Sequence, residues 1–130
     1  MAVFGLGIDL CNVPRIRAAL ARFPARFRNR VFTPAEVAFC DARTDPATSY
    51  AARFAAKEAF AKALGTGLRG LIGWREIEIR DNERSRPTIG VTGRAAARLA
   101  GRPVHLSITH LPEYAAAVVV IEEETVSRRP

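Results

Sequence analysis

Lys57 and Lys62 fall in one short window around Glu58, in Arg53-Phe54-Ala55-Ala56-Lys57-Glu58-Ala59-Phe60-Ala61-Lys62, while every other cation among the 20 lysines and arginines is an arginine. A chain so tilted to arginine keeps lysine where a compact ammonium is wanted rather than a planar fork. Far upstream, Asp9 stands at the end of the apolar run Ala2 to Leu10. Lone carboxylates in apolar surroundings are costly to bury and are normally paired, hydrogen-bonded or bound to a metal. If the segment carrying Asp9 packs on the one carrying Glu58, the two acids could share a hard cation such as Mg2+. That ion takes one or two carboxylates, keeps several waters and completes its shell with phosphate oxygens. Lys62, one helical turn past Glu58, and the backbone N–H groups of Gly65-Thr66-Gly67 would then face a phosphate. Structural alternatives stand beside each assignment. Asp9 could cap a following helix, Glu58 and Lys62 could be a solvated i,i+4 pair worth roughly 0.2–0.5 kcal/mol, and the glycines could simply stop a helix.

His105 and His110 bracket Val104-His105-Leu106-Ser107-Ile108-Thr109-His110. Alternation puts Val104, Leu106 and Ile108 on one face and His105, Ser107 and Thr109 on the other, with His110 presented at the strand's end, as a site residue or as a plain polar surface group. No G-x-S-x-G surrounds a serine, so nucleophilic catalysis has little footing. Cys11 and Cys40 are isolated, without C-x-x-C or histidines at ligand spacing, which argues against a zinc site or a disulfide scaffold.

The elements that must position these residues follow from periodicity. Thr48 or Ser49 is expected to cap a helix running to Leu64, with Gly65 placed to stop it. Its alanines gather on one face, and Tyr50, Arg53, Phe54, Lys57, Phe60 and Leu64 on the other, predicting a helix buried on one side and functional on its opposite side. Ala2 to Leu10 reads as a buried strand ending at Asp9. Pro14 opens a basic helical stretch, and Thr33 with Glu36 forms a capping box. Glu76 to Arg80 and Thr88 to Val91 read as strands around a turn over Asp81 to Pro87. Thr92 caps a helix over Arg94 to Ala100, and Tyr114 to Ile121 is apolar enough for a central strand. Residues 122–130 are expected to form a frayed tail.

At 130 residues and 48% hydrophobic content, one domain over 1–130 is expected. No apolar run spans a bilayer, and Met1 to Leu10 lacks a basic signal-peptide start, so a cytoplasmic protein without membrane contact is expected. The net charge of +7 predicts an anionic partner. The densest basic stretch carries Arg15, Arg17, Arg22, Arg26, Arg28 and Arg30, interleaved with Phe23 and Phe27. Such a stretch could track nucleic-acid phosphates. That reading leaves Asp9, Glu58 and the lysine clustering without a role and offers no aromatic platform for bases. A Mg2+-nucleotide hydrolase lacks a Walker motif.

Gly7-Ile8-Asp9, then Arg53 through Gly67, then Ser107-Ile108-Thr109-His110 resemble, in the same order and over nearly the whole chain, the short AcpS-type 4'-phosphopantetheinyl transferases. The resemblance implies an α+β fold: one compact domain, mainly antiparallel sheet packed on a long helix. It implies Mg2+-dependent transfer of phosphopantetheine from coenzyme A to a serine hydroxyl of an apo acyl carrier protein, releasing adenosine 3',5'-bisphosphate. Asp9 and Glu58 would hold the metal, and Lys62 would neutralise charge on the pyrophosphate. Arg53, Gly65, Thr66, Gly67, Thr109 and His110 would meet the coenzyme. Lys57 would be either a phosphate contact or a strut. Glu58, a metal-held hydroxide, or His110 assisting would take the serine proton. Arg15, Arg22, Phe23, Arg26, Phe27 and Arg30 would dock the acidic carrier, and no nucleic acid would be bound. A homotrimer with coenzyme in the clefts between subunits is implied, with the helix's alanine face and the central strand as candidates for core or interface. One departure is Ser85-Arg86-Pro87, where the family usually has Gly-Lys-Pro.

Overall fold

The computed structural model describes residues 2–81 and 86–124. Ser85 of the departing hairpin triplet and residues 125–130 of the expected tail lie outside the described residues.

A long helix, α4 (Pro46–Leu64), lies under a three-stranded antiparallel sheet of β1 (Val3–Asn12), β5 (Tyr114–Glu122) and β4 (Val104–His110), in the order β1-β5-β4. The central place expected for the apolar Tyr114–Ile121 run is the one it takes. Shorter elements cover the rest of α4: α1 (Val13–Arg22), α2 (Pro24–Val31), α3 (Pro34–Asp41) and β2 (Ile77–Asp81), which pairs with β3 (Pro87–Val91), while α5 (Gly93–Leu99) packs against the Trp74–Glu76 turn. This is the α+β arrangement expected, with the antiparallel sheet packed on the long helix.

Small side chains set the helix-to-sheet distance. Ala51, Ala55, Ala59 and Ala63 are buried on α4, facing the buried Ala115, Ala117, Val119 and Ile121 of β5 and the glycines of β1. A Cβ on Gly5 would lie 1.7 Å from the Ala63 carbonyl oxygen, and one on Gly7 1.8 Å from that of Ala59. Backbone therefore rests directly on backbone, and only glycine fits there. The alanine face is thus core, leaving the outer face of the sheet as the interface candidate.

Several boundaries differ from the sequence expectation. β1 does not end at Asp9; it continues to Asn12, whose Oδ1 accepts the Arg15 N–H at 2.9 Å and caps α1. Asp9 is therefore no cap. β1 is also buried on one face only, since its even-numbered residues point outward: Leu6, Ile8 and Leu10 are 64%, 68% and 65% exposed. α4 starts earlier than Thr48 or Ser49, because Pro46 fixes a helical φ in the first turn. Asp45 precedes it, taking a hydrogen bond from Thr48 Oγ1 at 2.7 Å. The basic stretch is two helices, broken at Phe23–Pro24. Thr92 precedes α5 without a side-chain cap, and Glu76 Oε1 instead accepts the Ala95 N–H at 2.9 Å. Trp74–Glu76 is a short 3-10 turn, so β2 begins at Ile77 and runs to Asp81.

The capping box of α3 is present as expected: Thr33 Oγ1 accepts from Glu36 N and Glu36 Oε1 from Thr33 N. The expectation of one open face on α4 is not met. Tyr50, Arg53, Lys57, Phe60 and Leu64 are buried as thoroughly as the alanines. An aromatic layer covers that side, with Phe32 and Tyr50 centroids 4.7 Å apart and Phe54 and Trp74 4.8 Å apart.

Candidate active site

The close approach of β1 to α4 brings together the residues whose chemistry the sequence made conspicuous. Asp9 points from β1 toward the helix, and Lys62 Nζ donates to Asp9 Oδ1 and to the Ile8 carbonyl, each at 3.1 Å. Lys62 thus reaches across to Asp9, and no hydrogen bond or ion pair joins it to Glu58, so the i,i+4 alternative is not what forms. Glu58 lies beside Asp9. Burial pushes its carboxyl above the usual range, Asp9 pushes it further, and Lys62 opposes them. The two carboxylates share one nearby ammonium and are left with excess negative charge. Among the described residues no cluster of three or more protein ligands forms. A Mg2+ ion needs only one or two carboxylates when waters and phosphate supply the remainder, so Asp9 and Glu58 fit it.

Cys11, two residues along the same face of β1, is a bystander thiol whose pKa is raised to about 11 by burial and then by Asp9 and Glu58. Both cysteines are buried and free.

Lys57 resolves toward the strut. Its side chain is 0% exposed, and Nζ donates to Glu36 Oε1 at 2.6 Å, Val31 O at 2.8 Å and Trp74 O at 3.1 Å. A lysine ammonium has three N–H groups, so none remains for a phosphate. Burial lowers the pKa of the ammonium and the Glu36 carboxylate opposes that shift. Glu36 also accepts the Ile79 N–H at 2.9 Å, which ties α2, α3, β2 and the Trp74 turn to α4 at the residue preceding Glu58.

The Gly65-Thr66-Gly67 N–H groups do not face outward. All three donate to Ala61 O, at 3.1, 3.1 and 3.2 Å, with Gly65 in the left-handed conformation at φ 87°. The segment is a helix stop whose amides are already used. Any ligand contact there must come from its open surface rather than from an amide cradle.

Arg53 lies elsewhere, in a groove of about 860 Å³ at the N-terminal half of α4, together with Arg43, Ser49, Asp81 and His110. Its guanidinium stands over Phe39, 4.1 Å from the ring centroid, donates to Ser49 Oγ at 3.2 Å and pairs with Asp81. Its buried Nε has no partner. The same ring carries Arg43 at 5.1 Å.

His110 is not next to Asp9. Asp9 pairs with Ala117, which pairs with Ile108, so His110 is two strands away and two residues further, roughly 12 Å between Cα atoms from strand geometry. It shares the α4 side of the sheet. Thr109 points to the opposite, exposed side, aligned with Ala116 and Leu10, so the two do not meet one ligand from one face. His105, on that outer face, pairs with Glu122 at 2.5 Å.

On the basic helices, Arg15, Arg22, Arg26 and Arg30 are exposed, and Phe23 is bracketed by Arg22 and Arg26 at 5.2 and 5.7 Å. Phe27 turns inward, edge-on to Phe32 at 5.7 Å, and contributes to the core more than to the surface. Sequence reasoning passed over Arg43, Phe39 and Asp81, and read Glu36 only as a cap. Their partners lie in distant segments, and no local spacing marks them.

The sequence profile of the 4'-phosphopantetheinyl transferase superfamily matches residues 5–119. A holo-[acyl-carrier-protein] synthase of Koribacter versatilis is 44% identical over 124 residues, 93% of this chain and 99% of its own. The crystal structure of the AcpS of Neisseria meningitidis superposes with a TM-score of 0.85 at 34% identity, covering 93% of this chain and 99% of that one. A Bacillus anthracis holo-(acyl-carrier-protein) synthase in complex with CoA (3',5'-ADP) superposes at 0.81 with 32% identity, covering 95% and 100%. This chain therefore belongs to the 4'-phosphopantetheinyl transferase superfamily, as an enzyme of the holo-[acyl-carrier-protein] synthase type.

Proposed function

We propose that the chain transfers 4'-phosphopantetheine from coenzyme A to a serine hydroxyl of an apo acyl carrier protein, with Mg2+, releasing adenosine 3',5'-bisphosphate. The observation that carries this is the meeting of Asp9, Glu58 and Lys62 at the β1–α4 contact, 53 residues apart in the case of the Lys62–Asp9 pair. The serine oxygen forms a bond to the phosphorus bearing pantetheine, and the bond from that phosphorus to the bridging oxygen breaks. The electron pair leaves on the nucleotide. When bound, Mg2+ supplies charge neutralisation for the pyrophosphate. Lys62, whose side chain is 54% exposed, adds a positive charge there. Glu58, at the same contact, accepts the serine proton. Positioning and charge stabilisation carry the reaction, as in other phosphoryl transfers.

Coenzyme A has a second anionic group, the 3'-phosphate, and the chain has a second cationic site in the Arg43–Arg53 groove with His110. We assign the 3'-phosphate to that groove and the open surface of Gly65 to Gly67 to the pantetheine path. The groove and the metal pair are separate on one chain, and the outer sheet face of Leu6, Ile8 and Leu10 is apolar and exposed. Both features support a homotrimer in which neighbouring chains complete each site. The exposed Arg15, Arg22, Arg26 and Arg30 around Phe23 fit an acidic carrier surface. Among the described residues no helix is long and apolar enough to cross a membrane.

The test is a mass spectrum of apo acyl carrier protein incubated with the enzyme, coenzyme A and Mg2+. The expected result is a gain of one phosphopantetheine group that disappears with Asp9→Ala, Glu58→Ala or EDTA. No gain from several carriers with folded enzyme overturns the proposal.

A further inference from the structure

Among the described residues, Asp81 is the groove carboxylate that sits on Arg53, where an incoming anion would bind. Its carboxylate, at the end of β2, occupies the Nη2 edge of Arg53, and its side chain is 27% exposed beside a guanidinium that is 6% exposed. Arg53 has two further contacts besides that carboxylate. The guanidinium stands over the Phe39 ring at 4.1 Å and donates to Ser49 Oγ at 3.2 Å. What Asp81 contributes is charge, a negative group on the edge of the fork that a phosphate would take. Asp45, the other groove carboxylate, is engaged by Arg17 at 3.1 Å and does not touch Arg53. Arg43, on the same Phe39 ring, has no ion-pair partner among the described residues, so it is the cation left to draw an anion in.

We infer that Asp81 is a specificity-determining residue that competes with the ligand phosphate for Arg53 and so limits how tightly the groove holds any nucleotide carrying that phosphate. This rests on the assignment of the coenzyme 3'-phosphate to the groove. Substrate and product share that phosphate, because adenosine 3',5'-bisphosphate keeps it after transfer. A groove without an opposing carboxylate would hold the product as firmly as the coenzyme and slow its release. With Asp81 in place, binding replaces one anion on Arg53 by another, and departure lets Asp81 return.

The experiment measures equilibrium binding of coenzyme A, 3'-dephospho-coenzyme A and adenosine 3',5'-bisphosphate to the full chain with Mg2+, for wild type, Asp81→Asn, Asp81→Ser and Arg53→Gln. Removing one like charge beside the phosphate is expected to tighten coenzyme A and adenosine 3',5'-bisphosphate by about tenfold in both Asp81 variants. The dephospho form should bind unchanged, and turnover at saturating coenzyme A should fall as product release slows. Arg53→Gln should bring coenzyme A and its dephospho form to nearly equal affinity. If Arg53→Gln has that effect while both Asp81 variants bind coenzyme A no tighter than wild type, Asp81 only braces Arg53 and the inference is overturned with the groove assignment intact. If Arg53→Gln leaves the preference for the 3'-phosphate at its wild-type value, the groove assignment fails and the role of Asp81 fails with it.

Discussion

Lys57→Met is the substitution that most directly separates a strut from a phosphate contact. In the native chain the ammonium and the Glu36 carboxylate are both 0% exposed and 2.6 Å apart. Methionine fills a similar volume but removes all three donors, leaving the carbonyls of Val31 and Trp74 without that partner and the Glu36 anion with only the Thr33 and Ile79 N–H groups. Breaking a buried pair in this way costs about 3–5 kcal/mol, because the surviving charge is left uncompensated. With an unfolding entropy of about 2.1 cal/mol/K per residue, 4 kcal/mol over 130 residues corresponds to a fall in Tm of about 15 °C. The double variant Lys57→Met/Glu36→Leu removes the stranded charge and should recover much of the loss, as replaced ion pairs commonly do. Urea unfolding of both singles and the double gives the coupling. At a temperature where the single variant is folded, its KM for coenzyme A should match wild type. A Lys57→Met protein of wild-type stability with a raised KM for coenzyme A would refute the strut and restore the phosphate contact.

Other consequences are open to measurement. Gly7→Ala places a methyl 1.8 Å from the Ala59 carbonyl oxygen; α4 must lift from β1, at a cost of about 3 kcal/mol, and Mg2+ should no longer raise the melting temperature of the folded fraction. Ile8→Asp puts a charge in the middle of the exposed apolar sheet face and should shift the proposed homotrimer to monomer in sedimentation, with activity lost alongside. Arg22→Glu with Arg26→Glu should raise the KM for acyl carrier protein at least about tenfold, leave the KM for coenzyme A alone and flatten the salt dependence of the rate. Glu58→Gln bears on the carboxylate pair. Because the folded-state pKa of Glu58 is raised, its protonated form stabilises the fold at low pH, and that contribution is lost as pH rises through the folded value. In EDTA the variant should therefore melt higher than wild type at neutral pH and match it in acid, whereas equal melting at both would remove the repulsion from the argument.

What the sequence made legible was local or chemically unusual. The capping box at Thr33 and Glu36, the helix stop at Gly65 and the central β5 need only neighbours in the chain or a run of apolar residues to declare themselves. The pairing of Asp9 with Glu58 was legible because acids in apolar settings require a reason. Boundaries were misread where proline chemistry outweighed a capping residue, as at Pro46, or where an alternation continued past a conspicuous acid, as at Asp9. The burial of the bulky face of α4 was hidden because its charges find partners across the fold. Lys57 reads as a surface lysine until Glu36 is seen 21 positions away, and Arg53 until Asp81 is seen 28 positions away. The Gly65–Gly67 amides were misjudged for the opposite reason: the glycines were read as freedom to bind, when the helix end had already used their N–H groups.

The way α4 divides its cations explains why so basic a chain keeps only two lysines. Arg53 must hold a fixed plane against Phe39 and offer an edge, which a guanidinium does and an ammonium does not. Lys57 must meet three acceptors arriving from different elements, Val31 O, Glu36 Oε1 and Trp74 O, which suits three rotatable donors around one point. Lys62 must give a compact charge at the end of a flexible stem, reaching from the helix to Asp9 while its side chain stays 54% exposed. Exchanging the two residue types therefore should not be conservative in either direction. Lys57→Arg overfills a cavity built for one nitrogen and should fail on stability. Lys62→Arg should fold as wild type, keep binding coenzyme A and lose rate, because a planar fork cannot follow charge from the pyrophosphate to the departing oxygen. A Lys62→Arg enzyme with wild-type kcat would show that any cation at that position suffices, and that the placement of the two lysines has another cause.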